Sequence, residues 1–182
     1  MKHDFDQRHL NLTAFAQAQG RLTGEEPLVS FGRLLLETQG VGSQAPVSFS
    51  ARGEMRMDDA GTEQVWLHLS GEVVLALVCQ RCLGPADILV SFERAFRFVA
   101  TEEQAEREDD VSDEDVLVMS RAFNVLELVE DEILLALPIT PMHQRCPIPL
   151  KLQVADRDFV EGAGYQKNPF GILEQFRKKD LP

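Results

Sequence analysis

From residue 46 onward the chain alternates. Val47, Phe49, Ala51, Gly53, Met55 and Met57 take every second position, with Ser48, Ser50, Arg52, Glu54 and Arg56 between them. A period of two sets one face of a strand on a core and the other in water. The stretch "DDAG" at residues 58–61 supplies a turn. The alternation resumes at Val65, Leu67 and Leu69 and, past Gly71, at Val73, Leu75 and Leu77, which predicts one long bent strand or two. Cys79 continues the inward-facing series. After "CLGP", Ile88, Val90, Phe92, Phe96 and Phe98 repeat the pattern with Arg94 as the exception, so the chain folds back antiparallel and "VCQRCLGP" stands at a hairpin tip.

Elsewhere the period changes. Asn124 with Glu127 three positions on reads as a capping box. Leu126, Val129, Ile133, Ala136 and Leu137 then line one face of a helix that Pro138 ends, with Glu127, Glu130 and Asp131 on the opposite, wet face. A shorter helix is predicted in "NLTAFAQAQG", capped by Thr13 and stopped at Gly20. The segment "KNPFGILEQFRKK" predicts a carboxyl-terminal helix over residues 168–179, with Asn168 as cap, Pro169 at its first position and a basic finish at Arg177, Lys178 and Lys179. Residues before it, "RDFVEGAGYQ", read as a flexible spacer. Four prolines in "PITPMHQRCPIP" make that stretch extended and stiff. Together these predict one α+β domain over residues 1–182, a mainly antiparallel and barrel-like core with a helix after an acidic loop and a short terminal helix.

Charge narrows the function. Residues 101–115 hold nine acidic side chains and one arginine, a density that predicts a solvated, flexible loop or a docking strip for a basic partner. Lysine and arginine number 18 against 30 acidic residues, a net charge of −12, so the mean field repels phosphate and attracts cations. The docking candidates are Glu102, Glu103, Glu106, Asp109 and Asp110, with Glu130 and Asp131 on the helix. Acid–base catalysis by "EDE" is the weaker reading, since neither a nucleophile nor a histidine lies near it in sequence. No apolar run approaches the roughly 20 residues of a membrane span. The amino end lacks a signal-peptide core, which places the chain in the cytosol, where thiols stay reduced.

The chain has three cysteines. Cys79, Cys82, His143 and Cys146 form a CxxC and an HxxC, a set of four ligands that suits a closed, structural zinc site. Two other readings stay open: small buried residues at a turn, or a redox pair, although the latter chemistry expects its CxxC to open a helix. His3, His9 and His68 read as surface or strand residues.

"CQRCLGP", "LVEDEILLALPITPMH" and "KNPFGILEQF", in that order, resemble the bacterial YceD family, the large ribosomal RNA subunit accumulation proteins. The resemblance runs close to full length. It implies a cytosolic, non-enzymatic factor for synthesis, processing or stability of 23S ribosomal RNA, and carries no catalytic residue. Many relatives hold further cysteines arranged like a metal ribbon, where this chain has only His143 and Cys146. The acidic balance joined to this resemblance suggests a basic ribosomal protein or processing factor as partner, with ribosomal RNA contacted indirectly. The alternatives are direct RNA binding by Arg81, Lys167 and the Arg177, Lys178, Lys179 cluster, or a thiol- or metal-dependent enzyme.

Overall fold

The three alternating segments pair in sequence order. In a computed structural model, which describes residues 5–58, 61–109, 112, 114–147 and 170, all elements belong to the unit formed by residues 1–148. Helix α1 (Leu12–Gln17) leads into strand β1 (Arg21–Pro27), a 3-10 turn and helix α2 (Gly32–Glu37). There follow β2 (Pro46–Met57), β3 (Glu63–Val78), β4 (Pro85–Val99), α3 (Glu102–Asp109), β5 (Asp115–Val118) and α4 (Val125–Leu135).

The fold is α+β, with one five-stranded sheet in the order β1-β2-β3-β4-β5. It is antiparallel except where β5 joins β4 in parallel. The sheet stays open, so the barrel that consecutive alternating strands suggest does not close. β3 is one strand of 16 residues. Gly71 does not break it: a Cβ there would lie 2.6 Å from the Phe92 ring, so the glycine makes room for that ring. Beyond Glu72, β3 has left β2 and pairs only with β4, which leaves a two-stranded ribbon ending at the cysteines.

The odd positions of β2 and β3 are buried with Phe15 of α1, Leu34 of α2 and Val129 and Ile133 of α4. α1 comes so close to β2 that a Cβ on Gly53 would sit 2.9 Å from the Ala16 backbone. Asn11, rather than Thr13, caps α1 by accepting from the Ala14 N–H at 3.0 Å. Thr13 instead donates to Met119 Sδ at 3.3 Å. Arg94, the one charged residue in the core-facing series of β4, has its Nε 3.7 Å from Glu132 on α4.

The opposite face of the sheet is left open except at one side, where Ala105 of α3 packs on Val99 and Val116. Charge density predicts an irregular loop there, yet residues 102–109 are helical. Thr101 Oγ1 accepts from the Gln104 N–H at 3.2 Å, Glu102 and Glu103 occupy the positive first turn, and buried Arg97 holds Glu108.

α4 also departs from its amphipathic reading. Asn124 caps it, accepting from Leu126 N at 3.1 Å and donating to Glu127 at 2.9 Å. Glu130 and Glu132, however, are buried rather than wet. The carboxyl-terminal helix, the spacer before it, Asp110 and His3 lie outside the described residues.

Candidate metal centre and charged surfaces

The hairpin tip is a tight knuckle. Leu83 N–H donates to the Cys79 carbonyl at 2.8 Å and Cys79 N–H to Gly84 at 2.9 Å, with Leu83 in the left-handed region at φ 60°. Gln80 N–H donates to the Pro141 carbonyl at 2.8 Å and so ties the proline-rich stretch to the knuckle. That tie brings His143 and Cys146 over the tip. The ligand atoms of Cys79, Cys82, His143 and Cys146 all lie within 4.8 Å of one another.

Their spacing fits one tetrahedral ion. Zinc–sulfur bonds of about 2.3 Å put two ligand atoms roughly 3.7 Å apart. Here Cys79 and Cys146 Sγ are 4.0 Å apart, and Cys82 Sγ is 3.4 Å from His143 Nδ1. His143 Nε2–H donates to the Pro85 carbonyl at 2.8 Å, which leaves the Nδ1 lone pair facing the sulfurs. Burial raises the Cys79 thiol's pKa, but the N–H groups of Cys82, His143 and Arg81 outweigh it and bring the pKa down to about 5. Burial and the neighbouring sulfurs of Cys82 and Cys79 push Cys146 up. One thiol, Cys79, is thus readied as thiolate beside a second, Cys146, that resists ionising, the conflict a divalent cation relieves. The CxxC lies in a turn, not at a helix start, so the geometry that activates a thioredoxin-like pair is missing here.

The proposed docking carboxylates separate into two groups. Glu102, Glu103, Glu106 and Asp109 are exposed on α3, while Ala105 is buried against the sheet and Glu108 is half-buried. Glu130 and Asp131 are engaged within the chain. Glu130 accepts from the backbone N–H of Arg33 at 2.7 Å and of Leu34 at 3.2 Å, and from the Arg33 guanidinium at 3.0 Å. Asp131 pairs with the same guanidinium at 2.5 Å.

Sequence reasoning did not find the cluster on the open sheet face. Glu54 accepts from Arg56 at 2.9 Å and His68 at 2.8 Å, and forms an ion pair with Arg52 at 3.1 Å. The Arg56 guanidinium, 4.3 Å from the ring centroid of buried Trp66, is held by a cation–π contact as well. The signal was the even positions of the alternating strands, where arginine recurs. No helix among the described residues is long and apolar enough to cross a membrane.

A family model described as "Large ribosomal RNA subunit accumulation protein YceD" matches residues 67–177, a span that contains all four candidate ligands. The large ribosomal RNA subunit accumulation protein YceD of Haemophilus influenzae is 31% identical over 113 residues. That alignment covers 59% of this chain and 63% of the relative, so the match spans less than two thirds of the relative's length. No solved structure matches the chain.

Proposed function

Because the chain belongs to the YceD family of large ribosomal RNA subunit accumulation proteins, we propose that it is a cytosolic, non-enzymatic factor that supports synthesis, processing or stability of 23S ribosomal RNA through a basic protein partner. The partner is a ribosomal protein or an rRNA-processing factor, and its docking strip is α3. The observation that carries this reading is the placement of Glu102, Glu103, Glu106 and Asp109 on the exposed side of a helix anchored to the sheet by Ala105 and by the Arg97–Glu108 pair. Fixed carboxylates lose less side-chain freedom on binding than the same residues on a loop. They also steer a cationic protein and shield it from wrong nucleic acids.

The Cys79, Cys82, His143 and Cys146 set holds structural zinc in this reading. With four protein ligands the ion has no open position for substrate, which agrees with a role in holding the hairpin to the proline-rich stretch. The decisive experiment removes the charge of α3 with Glu102→Gln, Glu103→Gln, Glu106→Gln and Asp109→Asn in a strain lacking the wild-type protein. Large-subunit rRNA stays low and the basic partner is lost from affinity capture. Full rRNA recovery with the neutralised helix would reject the docking strip.

A further inference from the structure

We propose that the open face of the sheet binds the phosphate backbone of single-stranded RNA across Arg21, Arg52 and His68. The inference rests on the reading of the chain as a ribosomal RNA accumulation factor and gives that reading a direct RNA contact. In the strand register Arg21 lies opposite Arg52, and Arg52 opposite His68, so one rung across β1, β2 and β3 presents two guanidiniums and an imidazole on the same face. Neighbouring strands are about 4.8 Å apart, which makes this row roughly 10 Å long. Directly opposed like charges weaken a ladder, and any polar residue would satisfy the solvent side of these strands. Glu54 answers Arg52 and His68 from one side, but no side chain among the described residues answers Arg21, so this rung carries more positive charge than its internal contacts use.

The next rung supplies hydroxyls. Thr23 faces Ser50, Ser50 faces Ser70, and the short side chains leave a groove of about 430 Å³ beside the cations, bounded on β4 by Glu93 and Ala95. Arg21 is exposed and its side chain makes no hydrogen bond or ion pair among the described residues. Arg52 shares one contact with Glu54 and keeps 43% of its side chain exposed. Guanidinium forks and hydroxyl donors are the groups that bind phosphate oxygens. Of the rings on this face of β3, Trp66 is buried under Arg56 and the His68 imidazole is held by Glu54, so bases have no free indole or phenyl ring to stack on and binding is predicted to be indifferent to sequence. Acidic α3 stands on the β4–β5 side of the same face, so RNA and a basic protein would occupy neighbouring ground without competing for one patch.

Fluorescence anisotropy of a labelled mixed-sequence single-stranded RNA with the full chain tests this. Between about 50 and 200 mM salt the wild type should show a log–log slope near −1.4, about −0.7 for each phosphate met by Arg21 and Arg52. Arg21→Gln with Arg52→Gln should flatten the slope by about 1.4 and weaken binding on the order of tenfold at the lowest salt. Arg21→Gln alone, on an exposed edge-strand side chain, should produce about half that flattening without threat to the fold. Absence of salt-dependent binding by the wild type overturns the site, as does unchanged affinity in the folded double variant or tighter binding of a polyglutamate peptide than of RNA. If the site fails while wild type still restores large-subunit rRNA to a deletion strain, the accumulation reading stands. If wild type does not restore it, that reading falls whatever the anisotropy shows.

Discussion

Glu130 sits on α4 but completes α2. The residue before α2, Phe31, offers no side-chain cap, and Glu130 supplies the missing acceptor to the Arg33 and Leu34 N–H groups from elsewhere in the chain. A local reading of "VEDEI" predicts a wet carboxylate because the helix it caps is some hundred positions away. Glu130→Ala should destabilise the protein by about 2 kcal/mol in urea unfolding, since it strips two orphan donors and leaves Arg33 with Asp131 as its one carboxylate partner among the described residues. Glu127→Ala, on an exposed position, should cost about 0.5 kcal/mol. Glu54 is a second residue whose partners come from the strand register. Arg56 above all, then His68 and Arg52, draw its carboxyl down from 4.5 to about 2. The contribution of the ionised group is complete above about pH 4.5 and is lost as pH falls toward 2. Stability measured across that window should fall less steeply in Glu54→Gln than in wild type, and an identical acid profile would refute the assignment.

At the level of elements, sequence legibility followed side-chain period. β2, β3 and β4 each bury one face against helices and expose the other, so their alternation is strong and their ends are marked by turns. β1 is an edge strand, "RLTGEEP", with glycine, proline and two glutamates, and β5 has only four residues, too few to show a period. α3 was hidden by its charge, although Thr101 and Gln104 carry a capping signature. The Cys/His cluster was legible as a candidate because CxxC and HxxC are pairs that local geometry can use; the tie that unites them, Gln80 to Pro141, is backbone and leaves no mark in sequence. Gly53→Ala, where α1 meets β2, should lower stability by about 1–3 kcal/mol through overpacking against Ala16. For the clasp, one zinc per chain should be found in the purified protein. Chelation or Cys82→Ser should cost roughly 4 kcal/mol if a closed loop of this length acts as a cross-link. Hydrogen exchange should then quicken first at residues 73–78 and 85–90, the ribbon beyond the end of β2. A metal-free protein with equal protection in that ribbon would rule out the clasp.

Over the whole molecule, a net charge of −12 is distributed unevenly rather than spread as a uniform repulsive shell. Carboxylates gather on α3, while the β1–β3 side of the open sheet face holds arginines at Arg21, Arg52 and Arg56. Partner capture by the wild type should therefore fall steeply with added salt, since exposed charges are screened within about 8 Å at physiological ionic strength. Insensitivity to salt would point instead to an apolar interface.

The register also sets the order in which the molecule can be completed during translation. β1 through β4 pair as each is made, but Val129 and Ile133 of α4, which close over their apolar side, are encoded well after β4. At about 5–20 residues per second the nascent meander waits for a few seconds with α1 and α2 in place but the part of that side under α4 still bare. A substitution that delays α4, or a pause in synthesis before it, would expose the growing chain to chaperones and proteases even where the finished protein is unchanged in stability.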